Sequence, residues 1–424
     1  MSHKILHLLA LVSLLASASC SELGVDHKTA QRQAEQRWSN VRGKIKLQIA
    51  TESFSHGELD QAQKQLDEAL ALDPTIPEAY VLHARILLER GEIGSAQEAL
   101  NNAISRGAND AESDYLAGVI AQRYGRLSEA LAAYRRAADR NPHDAHYVVA
   151  VAETLVELDS TQEALELIER RWTDFEHNAT LRATAGQIYM LTGRYERAAD
   201  VYREAVRISP DDQTLQCQFG VALAMAEKHA EAVSVLAPVA KKDKDLPSYA
   251  LVALGRAYLG SGQAAEAKTT LRRATQVSPN SLSAWSWLAR AALAGNDLVT
   301  AREAAAKASE CGGGAPEPLI LLGYVCLRQG HHAAAIRALE TALQKQPNDP
   351  LALYLLAEAR RAGEEAAKIR GTSSGPTVPP ARATAETPAA MATPGESDES
   401  DADEIVRRAN NALRSGARGE VLSP

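Results

Sequence analysis

Aromatic residues are scarce in this chain. Phe, Trp and Tyr together make up 4% of its 424 residues, and only 3 of them are Phe. Large globular enzymes draw much of their core mass from such rings, so the two or three conventional domains that this length suggests are disfavoured. Cysteine is equally sparse. With 4 residues and no CxxC pair, a disulfide-rich scaffold is excluded and no zinc or thiol-redox signature is present. Positive charge is in deficit: 46 Lys and Arg against 54 Asp and Glu leave a formal charge of −8. Without a long basic stripe, nucleic acid is excluded as the main partner.

Catalytic motifs are missing too. There is no HExxH, no GxxxxGK[ST] phosphate loop, no GxSxG and no dinucleotide fingerprint. Gly312-Gly313-Gly314 follows no predicted strand and reads as a turn. His143-x-x-His146 and His331-His332 fall at turns, without acidic or Cys partners at ligand spacing. His83 occupies a packing position and reads as a core histidine. Cys311 and Cys326 are expected toward opposite ends of adjoining helices, too far apart for a disulfide. The sequence therefore predicts no catalytic residue, no metal and no cofactor.

What is abundant is Ala and Leu, which carry most of the 45% hydrophobic content. An Ala/Leu/Glu/Arg-rich chain with helical spacing builds a thin core between closely approaching helices. Residues 1–20 stand apart as a targeting segment. Lys4 precedes the apolar run Ile5 to Ala16, which is too short to span a bilayer comfortably. Three readings remain open. Ala16-x-Ala18 suits ordinary signal peptidase and release of a soluble protein. Leu15 to Cys20 resembles the lipobox of bacterial lipoproteins, with cleavage before Cys20 and lipidation of its thiol, although Ser17 stands where that family usually has Leu. The third is an uncleaved anchor. With Ser21 in place of an inner-membrane-retaining Asp, the lipoprotein reading implies the outer membrane.

The middle of the chain repeats. Ala62, Ala96, Ala130, Ala164, Ala198, Ala232, Ala267, Ala301 and Ala335 are spaced by 34 residues, with a single step of 35. Nine units run from Gly43 to Asp349. Position 8 of each unit is Gly or Ala, and position 24 is a larger apolar residue except at Ala305. Gly recurs at position 15 (Gly57, Gly91, Gly125, Gly193, Gly262, Gly330), where it ends the first helix. Pro at position 32 stops the second helix, and only in odd-numbered units (Pro74, Pro142, Pro210, Pro279, Pro347). No unit can bury its apolar face alone, so neighbours must stack. Unit 6 is irregular: Pro238 is expected to kink or break its second helix.

This pattern resembles the tetratricopeptide repeat (TPR) over about three quarters of the chain. The resemblance implies an all-α, right-handed superhelix of nine helix-turn-helix units with a C-terminal capping helix. Expected boundaries are a leader at 1–20, a helical lead-in at 21–42, the units at 43–349, and the cap at 350–370. A Thr/Ser/Pro/Ala linker with an acidic run at 371–400 is expected to be disordered. A tail at 401–424 holds a possible short helix. In the family, the first helix of each unit lines a concave groove, where positions 2, 5, 6, 9, 12 and 13 meet a peptide or helix. Those positions give Arg85, Arg123, Arg256, Trp287, Arg290, Tyr324 and Arg328 as partner-binding candidates. Arg256 and Arg290 share position 9 in successive units and should stand side by side, apt for a carboxylate or an acidic peptide. Leu47, Thr51 and Leu82 fill the places of the chaperone-binding carboxylate clamp, so that activity is not implied.

The resemblance thus implies a non-enzymatic adaptor in the cell envelope, facing the periplasm and attached to the membrane through an N-terminal lipid anchor, or else soluble and periplasmic or secreted. Pilus biogenesis, protein secretion and exopolysaccharide export are settings for such proteins. The alternative is a regulatory or substrate-presenting accessory subunit of an envelope enzyme.

Overall fold

The computed structural model describes residues 3–372, with side chains over 27–368. Cys20, the linker from 373 and the tail lie outside the described side chains. Among the described residues there are helices and no strand, and no helix is long and apolar enough to cross a membrane. The chain divides into two compact units after Thr184.

The N-terminal unit holds α1 (His3–Ser55), α2 (Leu59–Leu72), α3 (Pro77–Glu89), α4 (Ile93–Ser105), α5 (Ala111–Arg123), α6 (Leu127–Arg140), α7 (Ala145–Glu157) and α8 (Thr161–Arg170). The lead-in and the first helix of repeat 1 form one uninterrupted α1. The C-terminal unit holds most of α9 (Ala179–Leu191), then α10 (Tyr195–Ile208), α11 (Gln213–Met225), α12 (His229–Lys242) and α13 (Ser248–Gly260). It continues through α14 (Ala264–Val277), α15 (Leu282–Ala294), α16 (Leu298–Cys311), α17 (Pro316–Arg328), α18 (His332–Lys345) and α19 (Pro350–Thr372).

Small residues set the helix spacing. All nine position-20 alanines, Ala62 through Ala335, are 0% exposed. Position 8 faces position 24 across each hairpin. A Cβ added at Gly118 would lie 2.5 Å from the Tyr134 ring, and one at Gly186 would lie 2.7 Å from Tyr202. Gly220, Gly255 and Gly323 face Leu236, Leu271 and Leu339 just as closely, and Ala50 and Ala84 are accommodated beside Leu66 and Leu100, all fully buried.

Every unit turns through the left-handed region at position 15. Six glycines do so, and Asp159 (φ 58), Glu227 (φ 59) and Asn296 (φ 55) adopt the same backbone in units 4, 6 and 8. The Pro at position 32 of the odd units goes with one way of ending the second helix. In odd units the second helix ends on an extended residue ahead of Pro: Asp73 (φ −146), Asn141 (φ −129), Ser209 (φ −125), Ser278 (φ −132) and Gln346 (φ −136). Units 2 and 8 pass through positive-φ glycines instead, Gly107 (φ 102) and Gly313 (φ 57), whereas unit 6 ends on extended Asp243 (φ −110) as the odd units do.

Unit 6 is less irregular than its sequence suggests. α12 runs unbroken past Pro238. The carbonyl that loses its donor is that of Ser234, and both residues lie on the exposed side, where water takes it. The true irregularity is in unit 4. Position 27 is Ala in seven units (at most 1% exposed) and the buried Val239 in unit 6, but here it is Arg171, whose side chain cannot fill that contact. α8 stops after 10 residues, against 14 in α6. Arg171 turns out to pair with Asp174 (2.8 Å) and stack on Phe175, with 5.4 Å from its guanidinium to the ring centre. The irregular stretch is held by Arg182, 4% exposed, which donates to the Phe175 carbonyl at 3.0 Å.

At the C-terminal end, Asp349 accepts from the Ala352 N–H at 2.8 Å and starts α19. Ala352, Leu355, Leu356 and Ala359 cover the last apolar face.

Candidate functional site: a cation–indole stack in the C-terminal groove

The first helix of each repeat presents positions 2, 5, 6, 9, 12 and 13 on one face, because these recur at helical spacing on the side away from the position-8 contact. In the C-terminal unit this face opens into a cavity of about 560 Å³, walled by Val221 and Met225 of α11, Tyr249, Val252 and Arg256 of α13, and Trp287 of α15.

Two of the predicted residues, Arg256 and Trp287, line it, and a third, Arg290, reaches Trp287. The Arg256 guanidinium lies 5.3 Å from the Trp287 ring centre and that of Arg290 lies 5.0 Å from it. Two cations therefore share one indole. Arg256 is half-buried and burial lowers its pKa, while nearby Glu227 acts the other way. Its guanidinium donates to Met225 Sδ at 3.0 Å, and no carboxylate forms an ion pair with Arg256 among the described residues. A guanidinium keeps its charge even when partly desolvated, so its N–H groups here favour an acceptor of negative charge.

The remaining candidates behave differently. Tyr324 is 5% exposed and joins the apolar core shared with Trp287 rather than standing in the groove. Its hydroxyl accepts from Arg328 Nη1 at 3.2 Å, which orients the exposed Arg328. Arg85 and Arg123 belong to the N-terminal unit. Arg85 lies 4.7 Å over the Phe54 ring and forms an ion pair with Glu112 at 3.5 Å. Arg123 is exposed.

Some groove residues escaped the sequence selection. Tyr249, 51% exposed, occupies position 2 of unit 7 and was within reach of the positional rule. Met225, at position 13, is apolar and was passed over. In the N-terminal unit the corresponding face is rich in acids and rings. Tyr115 stacks on His146 at 4.6 Å, and Gln122 donates to Glu157 at 2.6 Å. Glu153 has its pKa raised, chiefly by the crowded, poorly solvated surroundings and secondarily through His146 and Glu157, which act in opposite directions.

Comparison with known families matches this architecture. Tetratricopeptide-repeat models match residues 53–120, 115–176, 186–226, 252–316 and 316–359, more than half of the chain. The chain belongs to the tetratricopeptide repeat family. A segment of 106 residues is 28% identical to mouse tetratricopeptide repeat protein 21A, covering 24% of this chain and 8% of the mouse protein. Among solved structures it is similar to PilW, described as a widely conserved type IV pilus biogenesis factor. Identity there is 19%, over 50% of this chain and 98% of that one, with a TM-score of 0.45. The C-terminal part of a TPR protein from Cytophaga hutchinsonii is 18% identical over 56% of this chain and 98% of that one, with a TM-score of 0.44. TPR proteins bind protein partners, and this TPR chain is accordingly a protein–protein interaction scaffold.

Proposed function

We propose that this TPR protein is an exported adaptor whose C-terminal groove takes an acidic segment of a partner protein. The observation that carries the reading is the Arg256–Trp287–Arg290 stack, of which Arg256 and Trp287 line the α11–α15 cavity. Stacking holds both guanidiniums before a ligand arrives, so less side-chain entropy is lost on binding. The wall is otherwise apolar at Val221, Met225, Val252 and Tyr249, which suits a segment that alternates acids with apolar residues.

The test is a titration of the full chain with a fluorescent peptide that alternates Glu and Leu. Arg256→Gln and Arg290→Gln should each weaken binding about 10- to 100-fold, the range for a hydrogen bond to a charged group. Trp287→Leu should resemble the double Arg variant. Unchanged affinity in all three would remove the groove from consideration.

Export and attachment follow from residues 1–20 and Cys20. The protein is proposed to face the periplasm from the outer membrane, as an adaptor in an envelope assembly such as one for pilus biogenesis, secretion or exopolysaccharide export. Metabolic labelling with a palmitate analogue checks this step: label should appear on the native chain and vanish in Cys20→Ala. An unlabelled native chain would point to soluble export.

A further inference from the structure

The two ends of the described repeat array are finished differently. A stacked array needs a polar outer face on its terminal helices. At the C-terminal end, α19 exposes a single large apolar residue among its described side chains, Leu353. At the other end, α1 exposes four among its described side chains: Trp38 at 63%, Val41 at 48%, Ile45 at 52% and Ile49 at 39%. They fall within an arc of about 80° and span about 16 Å of the helix, from its 100° and 1.5 Å per residue. The opposite side of α1 does the packing: Ala50 is 0% exposed and Leu47 lies against the core that contains Leu66. The exposed stripe is therefore a second, outward apolar face.

Its surroundings are basic, in a protein that is acidic overall. Between positions 28 and 46 there are six Lys or Arg and one Glu. By helical phase, Arg37 and Lys44 flank the stripe on one side and Arg42 and Lys46 on the other. Lys46 is paired with Glu68 at 2.7 Å, but Arg37, Arg42 and Lys44 are exposed and make no ion pair among the described residues. We propose that this face of α1 docks on an anionic lipid surface, with Trp38, Val41, Ile45 and Ile49 entering the interface and Arg37, Arg42 and Lys44 meeting headgroup phosphates. An apolar stripe with a Trp and flanking cations has the chemistry of a helix that lies in the membrane plane. A second copy of the chain fits less well, because stripe-on-stripe packing would bring the same cations face to face. The inference does not depend on whether Cys20 is acylated; it concerns how α1 sits once the protein is at a membrane.

The experiment uses the full chain and vesicles containing brominated acyl chains, with either phosphatidylglycerol or phosphatidylcholine headgroups. Trp38 emission is read as the difference between the native chain and Trp38→Phe. The expected result is quenching of Trp38 in phosphatidylglycerol vesicles, reversed by salt and absent in phosphatidylcholine. Arg37→Gln combined with Arg42→Gln should lower that binding about 25-fold, a factor of about five for each cation at an anionic surface. Val41→Asp with Ile45→Asp should abolish the quenching; both side chains are exposed, so the fold is retained. Flotation with phosphatidylglycerol vesicles without Trp38 quenching would leave a lipid anchor standing and overturn this inference. Equal quenching with both lipids would overturn the anionic specificity, and a concentration-dependent dimer that Val41→Asp/Ile45→Asp dissolves would assign the face to a second copy instead.

Discussion

Replacing Glu227 by Gly is expected to stabilise the C-terminal unit. Glu227 sits at the turn between α11 and α12 with φ 59, where most other units have Gly. A left-handed backbone costs an L-residue about 1–2 kcal/mol, because Cβ crowds the following carbonyl. Glycine avoids that cost but loses about 0.4–1 kcal/mol through the larger freedom of its unfolded chain. The difference leaves Glu227→Gly about 0.5–1 kcal/mol more stable. The Cβ itself packs against nothing that would offset this, since a Cβ at the equivalent Gly193 or Gly262 would meet nothing within 4 Å. Two controls isolate the backbone from the charge beside Arg256 and His229. Glu227→Ala removes the carboxylate but keeps the strain, and should match the native chain within a few tenths of a kcal/mol. Glu227→Asn should fall between, because Asn tolerates this region better. The assay is urea unfolding of the full chain together with native-state hydrogen exchange of α11 and α12 amides, since a repeat array need not unfold in one step. If Ala stabilises as much as Gly, or Gly not at all, the strain argument is wrong.

Two other substitutions probe the packing and the ionisation. Gly186→Ala should cost about 1–3 kcal/mol by overpacking against the Tyr202 ring, which is 2% exposed. Adding Tyr202→Leu should return part of that loss, as the native pair Ala50 and Leu66 already shows such a fit; a double-mutant cycle in urea with no coupling would contradict it. His229 has its pKa lowered, first by burial and then by Arg256, and its Nδ1 is buried without a hydrogen-bond partner. The unfolded chain then takes up a proton on this group at a pH where the folded chain does not. Stability is fully present above the usual His pKa of about 6.5 and declines as pH falls below it. His229→Leu, with the residue type of Leu127 and Leu298 at the same repeat position, should flatten that decline between about pH 7.5 and 5.5; an identical slope would exonerate His229.

The repeat architecture follows from spacing alone. A 34-residue period with Ala, Gly and Pro at fixed places leaves one economical solution, because each hairpin must bury its apolar face on a neighbour. Position 15 was readable where it is Gly. It was hidden at Asp159, Glu227 and Asn296, whose shared backbone shows only in three dimensions. Pro238 does not break α12 for a related reason: a proline's effect depends on whether the freed carbonyl faces water, which is a matter of burial. Arg171 was visible as an exception at position 27, yet its consequence, the early end of α8, required the packing that Ala normally fills.

The site divides along the same line. Equal register placed Arg256 and Arg290 on adjacent helices, and a one-dimensional array turns register directly into proximity. The sequence could not say that Trp287 would be stacked by both cations, that Tyr324 would be buried, or that Arg85 would already be paired with Glu112. Those outcomes depend on rotamers and neighbouring side chains, which only the assembled helices decide. The scarcity of aromatic residues has a corresponding sense here. Few rings are needed where Ala and Gly hold helices together, and several of those present are placed where they do something else: Trp287 between two arginines, and Trp38 on the outer face of α1.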